Sequence, residues 1–200
     1  LLISIVSVFQ INKISKFSLE ILEKNVYDDY DNLIAYEVET LVTMLDPINE
    51  LIQKGDISKD KGMELAANII RESRYGDEGY FWADTSEGIN VVLLGDKEVE
   101  GRDRTDLTDS DGFEIVEEFL KIGNSQEGEG FLNYWFPKKG ETEPSEKRAY
   151  VMAYEPFDWI IGTGNYIDDL EVIVNELADQ NASILRNVFI LLAIVGIVSV

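Results

Sequence analysis

Apolar positions along the chain follow two different periods, and the change between them divides it. Ile34, Val38, Leu41, Leu45, Ile48 and Ile52 recur at alternating steps of four and three. That spacing lays one apolar stripe along a helix. It predicts a long helix over 15–54, with Pro47 inside it set to kink the helix or cost it a hydrogen bond. The segment "KGDIS" interrupts the stripe. Ser58 then suits the N-cap of a second helix over 58–73, with Leu65, Ile69 and Ile70 as its apolar face.

From Gly76 the pattern shortens. "GYFWAD", "INVVLL", "GFLNYWF", "RAYVMAY" and "DWIIGTGNY" are aromatic and β-branched runs bounded by Gly, Pro, Asp or Glu. They read as five strands over 76–166. An acidic loop, 95–111, and one short helix, 113–122, separate the second strand from the third. The other connections are of hairpin length, so the sheet is antiparallel. A last helix is expected over 167–186.

The two ends are apolar throughout. "LLISIVSVFQI" opens the chain and "NVFILLAIVGIVSV" closes it, with no charge in either. Each falls short of the ~20 residues a membrane-spanning helix needs. We read 1–14 and 187–200 as parts of two transmembrane helices, making the chain a fragment of a longer multi-pass membrane protein with 15–186 outside the cytoplasm. Lys13, Lys16 and Arg186 flank these stretches but are too few to orient them.

Charge and composition narrow the function. Seventeen basic residues against 39 acidic ones leave a net charge of −22. Phosphate backbones need neutralising cations, so a nucleic-acid partner is disfavoured. The chain has no Cys and no His. Thiol nucleophiles, imidazole bases and zinc sites built from those ligands are excluded. Carboxylates are plentiful, yet no nucleophile and base are spaced to work together, so an enzyme is not expected.

"DWIIGTGNYIDDL" has the order of a dinucleotide-binding turn. That turn needs a third glycine where Ile167 stands. Asp168 and Asp169 would also repel a phosphate at the helix start. The glycines are expected instead to turn the last strand sharply into the terminal helix. "LTDSDGFEIVEE" resembles a calcium loop, with Asp109, Asp111, Gly112 and Glu118 in register, but Leu107 stands in the first ligand position. A solvated acidic turn is the better reading, and neither metal nor cofactor is expected.

Four segments in order, "RYGDEGYFWADTSEG", "EGRDRTDLTDSDG", "GEGFLNYWFPKKG" and "RAYVMAYEPFDWIIGTGNYIDD", resemble the single-Cache (Cache type 2) sensor domain. That domain lies between the membrane helices of bacterial and archaeal chemoreceptors and of some sensor kinases. The resemblance implies an α+β fold: a long N-terminal helix packed on a PAS-like five-stranded antiparallel sheet, with a small-molecule pocket on the other face. It implies small organic acids or related metabolites as ligands, and parallel homodimers to which the stripe from Ile34 to Ile52 could contribute. It also makes Gly162, Thr163 and Gly164 the relay turn between last strand and exit helix. Many members carry His-Pro after the second strand; here Leu93 and Leu94 stand there, which puts a borrowed carboxylate site in doubt.

Strand alternation sorts the ligand candidates. Tyr80, Trp82 and Asp84 share one face of their strand; Leu132, Tyr134 and Phe136 share another. Arg148, Tyr150, Met152 and Tyr154 form a polar-tipped aromatic face, while Lys147, Ala149, Val151 and Ala153 form a small apolar one suited to the long helix. Tyr80, Trp82, Tyr134, Arg148 and Tyr150 are therefore the expected ligand-binding set, with Arg148 gripping a carboxylate. Asp84 beside Trp82 and Tyr80 offers an amine site as the alternative. The expected function is small-molecule sensing by a transmembrane chemoreceptor. A histidine kinase, a cyclic-dinucleotide enzyme or a partner-protein-binding module are the other readings.

Overall fold

A computed structural model describes the backbone of residues 2–76, 79–94 and 97–198, with side chains described only from 9 to 194 within those limits. The side chains at the outer ends of both expected membrane stretches, and residues 95–96 of the acidic loop, lie outside the described residues. The chain forms two compact units: residues 31–167, and the ends 1–30 together with 168–200.

Helix α1 (Leu2–Lys54) continues through Pro47. It stops at Gly55, whose φ of 79° places it in the left-handed region. There the Asp56 amide donates to Leu51 and the Gly55 amide to Ile52, which satisfies carbonyls the helix end would leave open. Helix α2 (Lys59–Glu72) begins as expected, with the Ser58 hydroxyl accepting from the Lys61 amide at 3.3 Å. Its buried face, however, is Gly62, Ala66 and Ile70, and Leu65 is exposed. The reason is packing distance. A Cβ at Gly62 would collide with the Ile52 side chain of α1, so α2 packs its small residues against the isoleucines of α1.

The five expected strands form, and a short sixth precedes them. β1 (Arg74–Tyr75) and β3 (Asn90–Val92) both pair with β2 (Gly79–Thr85). The rest of the sheet runs β2, β6 (Trp159–Tyr166), β5 (Pro144–Tyr154), β4 (Glu129–Pro137), antiparallel throughout. Helix α3 (Ile115–Gly123) falls between β3 and β4, and α4 (Ile167–Val198) follows β6 directly. α4 runs without a break from the expected exit helix into the expected membrane stretch.

The sheet separates two layers within the 31–167 unit. On one side Ile34, Val38, Leu41, Leu45 and Ile48 of α1 are buried. The heptad-like stripe is therefore used inside the chain. On the other side α3 closes over Trp82, Leu132, Tyr134, Ala149, Val151 and Ile160 through Ile115, Val116 and Phe119.

Gly162, Thr163 and Gly164 do not form a turn. All three lie inside β6, paired with β2 and β5, and neither glycine has a positive φ. Their role is close approach. A Cβ at Gly162 would stand 2.7 Å from the Trp82 ring and 2.8 Å from Val151. At Gly164 it would meet the β5 backbone at Arg148 and Ala149. Thr163 faces the α1 side, where its hydroxyl donates to the Tyr80 carbonyl at 2.6 Å and meets the Tyr75 hydroxyl at 2.8 Å.

Candidate ligand pocket

A cavity of about 20 Å³ lies on the α3 side of the sheet. β2 supplies Tyr80 and Trp82, β4 supplies Tyr134 and Phe136, and β5 supplies Lys147. α3 adds Ile115 and Phe119, and the segments flanking it add Leu93, Arg104 and Leu107. The walls are aromatic and tightly assembled: Trp82 stacks on Phe119 at 5.5 Å between ring centroids, and Phe119 meets Tyr134 edge-on at 5.7 Å.

Three of the expected ligand residues, Tyr80, Trp82 and Tyr134, line this cavity. Arg148 and Tyr150 do not. Both point to the α1 side, where the Arg148 guanidinium grips Asp31 in a two-pronged pair at 2.9 and 2.7 Å and sits 4.8 Å from the Phe131 ring. Tyr150 packs on Phe131 at 4.8 Å. Burial raises its hydroxyl pKa, and the Glu129 and Glu39 carboxylates nearby add to the rise. Alternation correctly separated the two faces of β5 but attached them to the wrong layers. The small apolar face lies under α3, and the aromatic one meets α1.

Lys147, expected on the face that packs against the long helix, lies instead on the cavity side of β5. It is 1% exposed, the largest fully buried side chain among the described residues. Its ammonium donates to the Tyr80 hydroxyl at 2.9 Å. The rings of Tyr80, Trp82 and Tyr166 surround it at 4.6, 4.9 and 5.4 Å from their centroids. Among the described residues no carboxylate lies within ion-pair reach of it. The signal was present in the hairpin: β4 and β5 pair so that Tyr134 stands opposite Lys147 and Asn133 opposite Arg148. Opposite residues share a face. Tyr134 and Arg148 therefore cannot belong to one site.

Asp84 is not a free anion for an amine. Arg104 holds both its oxygens, at 3.1 and 2.8 Å, and Asn90 donates to it at 2.9 Å. Burial pushes its carboxyl above the ordinary value, while Arg104 and Asn90 oppose that shift. Arg104 is committed to this pair, leaving Lys147 as the cation facing the cavity without an acidic partner. Trp82 adds a buried indole N–H that meets no protein acceptor among the described residues.

A long helix on one face of an antiparallel sheet, with a small aromatic cavity on the other lined by the Asp84-paired Arg104 and by Lys147, defines a small-molecule sensory domain. The chain belongs to the Single Cache domain 2 family, whose model matches residues 26–180. It is 26% identical over 170 residues to the methyl-accepting chemotaxis protein McpP of Pseudomonas putida, covering 85% of this chain and 31% of that protein. It is 26% identical over 204 residues to the sensor histidine kinase MctS of Rhizobium johnstonii, covering 98% and 43%. The chain thus spans less than half the length of either relative. A solved Cache chemosensory domain, described for the structural basis of its carboxylic acid recognition, matches with a TM-score of 0.68 at 27% identity. That match covers 72% of this chain and 97% of the other.

Proposed function

We propose that this chain is the extracytoplasmic sensor domain of a transmembrane chemoreceptor, and that its cavity takes a small monocarboxylate held by Lys147. The buried ammonium carries the reading. A lysine is almost never fully buried unless paired, because desolvating its charge costs several kcal/mol. One hydroxyl and three ring faces compensate only part of that, and an anion in the adjoining cavity supplies the rest. The orphan Trp82 N–H is a second donor for such an anion. The cavity is small, which favours acids of two or three carbons over larger ones. The carboxylic acid recognition of the solved relative supports the same class.

The membrane reading rests on α4, which between Ile167 and Ile194 contains a stretch long and apolar enough to span a bilayer. The corresponding helix at 1–14, the homodimer, and signalling outward through the exit helix belong to the same proposal. A chemoreceptor output is preferred, and the resemblance to MctS supports a histidine kinase as the second reading.

Thermal unfolding of the full chain in lipid nanodiscs tests the ligand class. Acetate, propionate and pyruvate are compared with ethylamine and neutral acetamide. A ligand at about a hundred times its Kd adds about 2.7 kcal/mol, or several degrees. The expected result is a shift with an acid that Lys147→Met abolishes. A shift with the amine alone, or an acid shift that survives Lys147→Met, overturns the assignment.

A further inference from the structure

We propose that Tyr166 is the positioning residue that reads the charge of Lys147 and passes it to the exit helix. The inference rests on Lys147 being the anion-binding group. Lys147 and Tyr166 stand directly opposite each other in the β5–β6 ladder, and the ammonium lies 5.4 Å from the Tyr166 ring centroid. Tyr166 does not line the cavity. Lys147, which does line it, connects the ring to the ligand.

Its other attachments make it a relay. The Tyr166 hydroxyl donates to the Pro137 carbonyl at 2.8 Å, which ties the ring to the end of β4. Lys138 places a second ammonium 5.2 Å from the same ring. Tyr166 is the last residue of β6, and Ile167, bonded to it, is the first of α4. No flexible residue separates the ring from the helix start.

Binding of an anion changes what the ring experiences. The ammonium turns toward the carboxylate and its field is partly neutralised, so its attraction for the Tyr166 face falls while that of Lys138 remains. The favoured ring position then differs between free and bound states. That difference is what a ligand needs to bias two states of the helix that follows. The relay is thus one residue at the junction, and the glycines at 162 and 164 set strand packing.

Hydrogen exchange of residues 167–175, in the full chain in nanodiscs, tests this without any ligand. Lys147→Met removes the charge as permanently as a bound anion would. It is expected to change exchange in the first turns of α4 several-fold. The same substitution is expected to change nothing there once Tyr166→Leu has removed the ring, whereas Tyr166→Phe keeps the response. Fluorinated phenylalanines at 166, which weaken the ring face without altering its shape, are expected to reduce the response stepwise. They carry the test if the leucine variant does not fold. A Lys147→Met effect that is absent, or that is the same with and without a π face at 166, overturns the relay. Failure of every acid to stabilise the wild-type chain would overturn the ligand class instead, and the exchange cycle would still decide the relay.

Discussion

Lys147 and Arg148 are neighbours in sequence, and the fold gives them opposite work. One is buried beside a cavity and has no acid to pair with among the described residues; the other is 28% exposed by its side chain and bound to Asp31. Sequence alternation shows that adjacent strand residues face opposite ways, but it cannot say which face meets which layer. Choosing arginine for its fork was reasonable chemistry attached to the wrong side. Tyr80, Trp82 and Tyr134 were legible on one face because large aromatics two apart are seldom arranged otherwise. Lys147 was hidden because lysine is so rarely buried that an apolar neighbourhood reads as helix packing. The two cations predict different losses. Arg148→Ala breaks a half-exposed ion pair and should lower stability by about 1 kcal/mol while leaving acid binding intact. Chemical denaturation and calorimetric titration of the same variant check both parts, and a loss of acid binding would return Arg148 to the site.

At the level of elements, patterning located the α-helices among the described residues and every strand but the two-residue β1, yet it missed the short 3-10 turn at Glu155–Phe157 and misread the glycines. Gly162 and Gly164 looked like a turn because glycine so often marks one. In β6 they are needed for what a side chain would strike. Gly162→Ala drives a methyl into Trp82, which is itself held against Phe119, and should cost about 1–3 kcal/mol with a shift in Trp fluorescence. Gly62→Ala strikes the end of the flexible Ile52 side chain and should cost less. Equal losses in paired unfolding curves would show that the strand can yield as easily as the helices. The acidic segment before α3 has its own device. The Asp109 carboxylate accepts from the amides of Asp111, Phe113 and Trp135 at 2.8, 2.9 and 3.1 Å. Its slight burial raises the carboxyl pKa, but these amides and that of Gly112 outweigh it and hold it below the usual value. Because the folded pKa is the lower one, this stabilisation is present above the unfolded value of about 4 and is lost as pH falls through the folded one. Asp109→Asn should flatten the acid limb of the stability curve by up to about 1 kcal/mol. An unchanged limb in acid titrations of unfolding would assign the acid sensitivity elsewhere.

For the whole molecule, the α+β class could be read from the order of elements, and the apolar ends from composition. The net charge of −22 does not decide the charge of the ligand. A buried site answers to the groups that line it, here the Lys147 ammonium, the Asp84-paired Arg104 and the aromatic rings of Tyr80, Trp82 and Tyr134. The surface charge acts at longer range, on the approach. A strongly acidic molecule repels an arriving carboxylate and lowers its concentration at the cavity mouth, the reverse of electrostatic steering. Salt screens that repulsion over about 10 Å at 0.1 M, whereas a contact inside the cavity is shielded far less. Association of an acid should therefore quicken as ionic strength rises from about 20 to about 200 mM, with its dissociation rate nearly constant. Stopped-flow fluorescence, using Trp82 in the cavity wall, would resolve the two rates. Association that slows with salt would mean that chloride competes for Lys147 more strongly than the surface charge repels the acid.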